Sequence, residues 1–414
     1  MSEIYDYIIA GSGAGGATLS RELCKKGKHV LLLEMGDAAF PLPFVVENSI
    51  EGTDVFTAYG KGGAAVLMNG NGVRSLQKEL ACLGLDLEDE FRELETELKL
   101  APIHESLLSA EGSMRILEMC RQVGIRMQRM PKFVDHTRCI RCGNCSLGCP
   151  TGAKWTPLEF LKEAESLGLE IICNSKVEQV IVEKGRARGV RCSGPDSSRE
   201  YYGNAVVLAA GGLKSPIILQ NSGITSAGKN LFIDICELWY GITPDIDISN
   251  EPPMQLVNTE FLEDDGFILS TGYIKNKDKL RYYLKERAEE YIREGHVSVI
   301  VKIRDDAVGC INPDGTFSKT ATTADRIKLD KGGKAAADFL LAIGARPDSI
   351  LKRQGLYGGH NGASCAIGSV VDNRLQTEVE KLYVCDGSVL PKSPGLPPVL
   401  TIMALARKLG KILS

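Results

Sequence analysis

Apolar residues alternate between continuous runs that suit buried strands and spaced stripes that suit helices, with glycine marking most of the changes. Residues 5–34 read as strand, loop, helix and strand: YDYIIA, then GSGAGGA, then TLSRELCKKG, then KHVLLLE. From Gly36 to Arg74 the periodicity fades and glycine dominates, ending in YGKGGAAVLMNGNGVR. Leu87, Phe91, Leu94 and Leu98, then Met114, Leu117, Cys120 and Val123, recur every three or four residues and predict two amphipathic helices. Pro157 to Gly168 predicts another helix, and LEIICNSKVEQVIVEKGRARGVRCS a β-hairpin or meander. GNAVVLAAGG is an unbroken apolar run closed by Gly211 and Gly212, which predicts a parallel strand buried on both faces that returns to the first sheet. A short helix follows, with Ser215 and Pro216 at its start.

The texture changes near Gly241. Strands are expected near Met254 to Glu260, Gly266 to Gly272 and His296 to Arg304, with charged helices at Lys279 to Arg293 and Ala324 to Leu341. This reads as a second domain, a sheet with helices on one face, and it carries no legible chemical motif. The end returns to glycine punctuation: YGGHNGASCAIGSVVDNRL, a strand LYVCDGS closing on Asp386, and a final helix over Thr401 to Ile412. Asp386 is placed for cofactor hydroxyls.

Composition narrows the class. With 414 residues, 43% apolar and a net charge of -4 spread without a basic stripe, this is a globular chain of two or three domains and a poor nucleic-acid binder. No apolar run reaches the ~18 residues of a membrane span, and the N-terminus enters a strand pattern without a leader. Thirteen cysteines, an odd number with four of them clustered, point to a reducing cytoplasm where thiolates serve metals rather than disulfides.

Two motifs carry chemistry. Gly11, Gly13 and Gly16 form G-x-G-x-x-G between a strand and a helix, and Glu34 ends the next strand. The first glycine permits the turn, the second lets backbone approach a pyrophosphate, the third packs helix on strand, and the acid accepts ribose hydroxyls. A carboxylate at Glu34 disfavours a 2′-phosphate, and the second glycine box suits the longer FAD over NAD. Cys139, Cys142, Cys145 and Cys149 are spaced C-x2-C-x2-C-x3-C before Pro150, the run that wraps thiolates around an iron–sulfur cube. No second run exists, so Cys149 or a remote cysteine such as Cys120 or Cys82 closes a [4Fe-4S] site. A structural zinc held by four cysteines is the alternative.

Through GSGAGG with Glu34, GGAAVLMNGNGVR, CGNCSLGCPTGAKW, VVLAAGGLKSPIILQNSGI, HNGASC and CDGSVLP with LTIMALA, the chain resembles the glucose–methanol–choline (GMC) oxidoreductase family. The resemblance implies an α/β fold, a doubly wound Rossmann-like FAD-binding domain interrupted by a substrate domain built on an antiparallel sheet. It divides the chain into FAD-binding parts at 1–80, 157–240 and 346–414, a helical and iron–sulfur insertion at 81–156, and a substrate or cap domain at 241–345. It makes Gly11, Ser12, Gly13, Ala14, Gly15, Gly16, Glu34, Gly63, Asn69, Val177, Ala210, Gly211, Asp386 and Gly387 FAD contacts. His360 of HNGASC matches the family's catalytic histidine, which takes the proton from a substrate hydroxyl while hydride goes to the flavin. A loop histidine satisfied by backbone is the plain alternative. The family's second catalytic residue falls at Pro397, which has no side-chain donor and no N–H.

These features lead to an FAD and [4Fe-4S] oxidoreductase, a dehydrogenase rather than an oxidase, acting on a small CH–OH substrate and passing electrons to a protein partner. The alternatives are a reductase of an activated C=C or C=O bond, a flavin and cluster subunit without its own substrate, and an alcohol oxidase with a zinc loop.

Overall fold

Ile4–Ala10 alternates little between polar and apolar, so it cannot lie at a solvated surface, and it becomes a central strand of a seven-stranded sheet. The computed structural model describes residues 4–39, 42–194 and 198–413. Val30–Leu33 pairs with it in parallel on one side and Ser198–Leu208 on the other, so that Ile8 lies between Leu31 and Val206. Glu170–Ile172 extends the sheet in parallel beyond Val30–Leu33, and Leu382–Val384 adds in parallel to the end of Ser198–Leu208. The first half of that long strand instead pairs antiparallel with Arg186–Ser193, which returns on Lys176–Glu183, the expected meander.

Helix Ala14–Cys24 packs on this sheet and against helices Pro157–Ser166 and Val399–Ile412. The helix Pro157–Ser166 opens on a capping box of Thr156 and Glu159 with proline in its first turn, which explains its start. Arg21 is fully buried between these helices, bonded to Glu97 at 2.6 Å and stacked 3.4 Å over the Phe160 ring.

The second sheet has nine strands centred on Cys236–Ile242, His296–Ile303 and Phe267–Gly272, all antiparallel to their neighbours here. Helix Thr323–Ala342 covers one face, where Gly333 admits the Trp239 ring and Gly332 admits Val301. The other face is covered too, because Leu238, Tyr240 and Ile242 pack against Leu280, Leu284, Ala288 and Tyr291. The expected sheet with helices on one face is thus corrected. The expected single helix over Lys279 to Arg293 is in fact two, Lys277–Leu284 and Ala288–Glu294, broken where Lys285 takes a positive φ of 50°.

The segment boundaries also move. Val45–Asn48 and Asp54–Thr57, expected within the first FAD-binding part, belong to the second sheet, as do Cys236–Ile242, Leu351–Lys352 and Tyr357–Gly358. Short strands add to whichever edge is free, and periodicity does not reveal which edge that is. No described helix is long and apolar enough to cross a membrane.

Candidate active site

A cavity of about 820 Å³ opens where the strand ends of the first sheet meet the second sheet, a size suited to a large cofactor with a substrate beside it. The first glycine loop forms its floor. A Cβ at Gly11, whose φ is 103°, would lie 2.3 Å from the carbonyl oxygen of Ala209, and one at Gly16 would lie 2.0 Å from that of Gly11. A Cβ at Gly13 would meet nothing within 4 Å, and Gly63 of the second box stands beside it. The loop is therefore closed on the protein side and open on the cavity side, where helix Ala14–Cys24 begins without a side-chain cap.

Glu34 joins this loop to its strand. One carboxylate oxygen accepts from the Ser12 N–H at 3.1 Å and the Ser12 hydroxyl at 2.5 Å, and the other accepts from Gly36 N–H at 2.9 Å. One lone pair, on the Oε1 oxygen, remains for a ribose hydroxyl. Asn69 reaches the same cavity with a buried side-chain oxygen that has no partner among the described residues. Ser12, Ala14, Gly15, Val177, Ala210, Gly211 and Gly387 also line it, whereas Gly16 lies behind the loop and packs helix on strand. Asp386 departs from its expected role. Its carboxylate already accepts from Gly211 N–H, the Ser215 hydroxyl, Ser388 N–H and the Ser388 hydroxyl, so it clamps two loop ends rather than offering itself to cofactor hydroxyls.

His360 lines the far part of the cavity with two partners that were not anticipated. Its Nδ1 lies 2.5 Å from Lys302 Nζ and 3.1 Å from an Asp234 carboxylate oxygen, which in turn is 2.6 Å from Lys302 Nζ. Lys302 and Asp234 are buried. The other Asp234 oxygen accepts from the Ser393 hydroxyl and Gly395 N–H. Burial and the Lys302 charge hold the His360 pKa below its ordinary value against the pull of Asp234. Burial works against the Asp234 charge, yet Lys302 and His360 bring its pKa below the usual carboxylate value. Pro397 lines the cavity as expected, so no donor stands there.

The cysteine loop adjoins this cavity. It is pinned at its base by a bridge between Val134 and Lys154, and Cys139, Cys142, Cys145 and Cys149 line one small cavity with Thr151 and Lys154. Cys120 is buried in the core of the second sheet, and neither it nor Cys82 lines that cavity. Among the described residues no group of three His, Cys, Asp or Glu side chains is arranged to hold a metal ion. Two buried lysines beside the loop reach the wall of the larger cavity. Lys154 Nζ donates to the carbonyls of Val66, Met68 and Cys145, and Lys132 Nζ to those of Asn69 and Pro253 and to the Asn71 side chain. Burial drives their pKa values down, to about 8 and about 7 respectively.

Models of the GMC oxidoreductase family match residues 83–236 and 312–406. An uncharacterized protein of Methanocaldococcus jannaschii is 30% identical over 98% of both chains, and an uncharacterized GMC-type oxidoreductase of Mycobacterium tuberculosis is 26% identical over 97% of this chain and 74% of its own. This chain belongs to the GMC oxidoreductase family. A long-chain-alcohol oxidase of Arabidopsis thaliana is 24% identical over 97% of this chain, which spans 66% of that protein's length. Pyridoxine 4-oxidase from Mesorbium loti superposes with a TM-score of 0.74 at 16% identity over 99% of each chain. A variant of Aspergillus oryzae formate oxidase superposes at 0.75 and 13%, over 100% of this chain and 98% of its own. These likenesses establish the fold, an FAD-binding α/β part with a sheet-rich substrate part.

As a GMC oxidoreductase the chain is an FAD-type oxidoreductase, and the open face of its glycine loop, the remaining lone pair of Glu34 and the orphaned Asn69 oxygen fit that cofactor. Lys302, Asp234, Lys132 and Lys154 escaped the sequence reading. One signal was present for each of the first two: a lone charge within an apolar run, in HVSVIVKI and in FIDIC. Lys154 stands five residues after Cys149 and had no such flag.

Proposed function

We propose that this GMC oxidoreductase moves a hydride between bound FAD and an oxygen-bearing carbon of a small organic substrate, and that its cysteine loop holds a [4Fe-4S] cluster through which electrons pass to a protein partner. The observation that carries the reading is that His360, the glycine loop and Asn69 share one cavity, with the four-cysteine loop tied to the wall of that cavity through Lys154.

Flavin supplies the hydride acceptor or donor. The chain's own residues do the rest. The glycine loop and Glu34 hold the pyrophosphate and ribose, Asn69 offers an acceptor within the cavity, and His360 exchanges a proton with the substrate oxygen. The name of the Arabidopsis relative favours an alcohol as the substrate class. A cube takes one cysteine on each of four irons, and four cysteines line the one small cavity of this loop. Ile140 and Leu147 flank the cysteines with 63% and 64% exposure, a setting that supports docking of a redox protein.

Iron, zinc and acid-labile sulfide measured on anaerobically purified protein, with visible spectra before and after dithionite, test the reading. About four irons and four sulfides per chain beneath the flavin bands are expected. About one zinc without sulfide, or peroxide formed stoichiometrically in air, would overturn the relay in favour of an oxidase. The second reading, a reductase of a C=O or C=C bond, is favoured by Pro397, because an alcohol loses its second binding partner there.

A further inference from the structure

The 2.5 Å contact between Lys302 Nζ and His360 Nδ1 restricts where protons can sit. An ammonium has three donors and no acceptor, so beside it Nδ1 must be the acceptor. A neutral imidazole carries one N–H, which is then on Nε2. Nε2 has no partner among the described residues, and the side chain keeps 33% of its surface open in the cavity. The alternative, Nδ1–H donating to Asp234 at 3.1 Å, would put a second donor against the ammonium. It becomes available only when Lys302 is a neutral amine.

We propose that Lys302, a residue on the central strand of the second sheet, is the proton reservoir of this site and works through His360 in place of the side chain missing at Pro397. The inference rests on the hydride-transfer reading given above. In the reducing direction a substrate carbonyl carbon gains a hydride and becomes an alkoxide. The Nε2 proton of His360 passes to that oxygen while a Lys302 proton passes to Nδ1. The products are an alcohol, a neutral Lys302 amine and an imidazole protonated on Nδ1. Oxidation of an alcohol is the same sequence reversed, with Nε2 accepting the hydroxyl proton and Nδ1 returning one to Lys302. Asp234 keeps its charge throughout: it pairs with the ammonium at 2.6 Å in the first state and can accept from Nδ1–H in the second. It is itself held by Ser393 and Gly395, so the pair has a fixed anchor. Lys302 is a positioning residue in this scheme, because only His360 meets the substrate.

The test is long-range 1H–15N spectroscopy of the dithionite-reduced FAD-loaded protein labelled with 15N-histidine, with His360 assigned through His360→Gln. The expected wild-type ring is neutral, with its proton on Nε2, and in Lys302→Met the proton moves to Nδ1. A wild-type ring protonated on Nδ1 overturns the proposal even if Lys302→Met does not fold, as does an unchanged ring in that variant. Lys302→Arg keeps the charge and the donor but cannot give up a proton. It should retain the Nε2–H form yet bleach the flavin with 1-decanol ~100-fold more slowly than wild type, and an undiminished rate would exclude the relay. If 1-decanol bleaches no flavin in the wild type, the alcohol reading fails while the ring spectra still decide the place of the proton.

Discussion

Three of the four lysines buried among the described residues lie at the cavity or the cysteine loop, and their partners tell their duties apart. Lys154 and Lys132 give most of their donors to carbonyls of neighbouring loops, which makes them struts. Lys302 shares its ammonium between a carboxylate and an imidazole in the cavity, which gives it protons to move. Replacing Lys154 with Met would leave three carbonyls short of a donor, at about 1–3 kcal/mol for each that stays buried. The expected outcome is a lower urea midpoint and earlier proteolytic cutting within the cysteine loop. His360→Ala should retain FAD, seen as an unchanged flavin absorbance after gel filtration, while turnover falls ~100-fold or more. Turnover equal to wild type would remove His360 from the chemistry.

Glycines of one loop serve two elements, and substitutions should separate the two roles. Gly13 has φ -65° and open space where a Cβ would stand, so Gly13→Ala suits the fold and intrudes only on the ligand. Its thermal stability without FAD should match wild type, with FAD affinity lower by roughly tenfold or more, about 1.4 kcal/mol. At Gly16 a Cβ would lie 2.0 Å from the Gly11 carbonyl oxygen, so Gly16→Ala should lose stability itself, by about 1–3 kcal/mol or more.

His296 shows how a strand is tied to its neighbouring helices. Its Nδ1 lies 3.3 Å from the Tyr291 carbonyl oxygen, and Nε2 accepts from Ile274 N–H at 3.4 Å, an arrangement that needs the neutral ring. Burial lowers its pKa to about 4. The unfolded chain therefore binds a proton between about pH 6.5 and pH 4 that the folded chain refuses. The stabilisation is complete above pH 6.5 and declines as pH falls, by about 3 kcal/mol at pH 4. Urea midpoints measured over this range should fall, and His296→Gln should flatten the slope.

Taken whole, the molecule builds its candidate site from two sheets: the first carries the first glycine loop and Asp386, and the second carries Lys302, with Asp234 just before its strand Cys236–Ile242. Under the proposed relay, Cys149→Ser should lower iron retention in anaerobically purified protein below half. Cys82→Ser and Cys120→Ser should leave it unchanged, because those two lie outside the cavity that Cys149 shares. Equal iron in all three variants would detach the cysteine run from metal binding.

The local order of residues was enough to establish the strand, glycine loop, helix and acid of the first motif, because each step depends on neighbours within a few positions. The buried, parallel second half of Ser198–Leu208 and the grouping of the four cysteines were legible for the same reason. Short strands such as Val45–Asn48 and Tyr357–Gly358 were not, since their sheet is chosen by which partner lies free in space. The saturation of Asp386 by four donors, and the meeting of Lys302 with Asp234 and His360, joined segments far apart in the chain. Only the tertiary structure decided these, because the charge of Lys302 is tolerated inside the fold by a carboxylate 68 positions away in sequence, and that proximity exists nowhere but in the packed sheet.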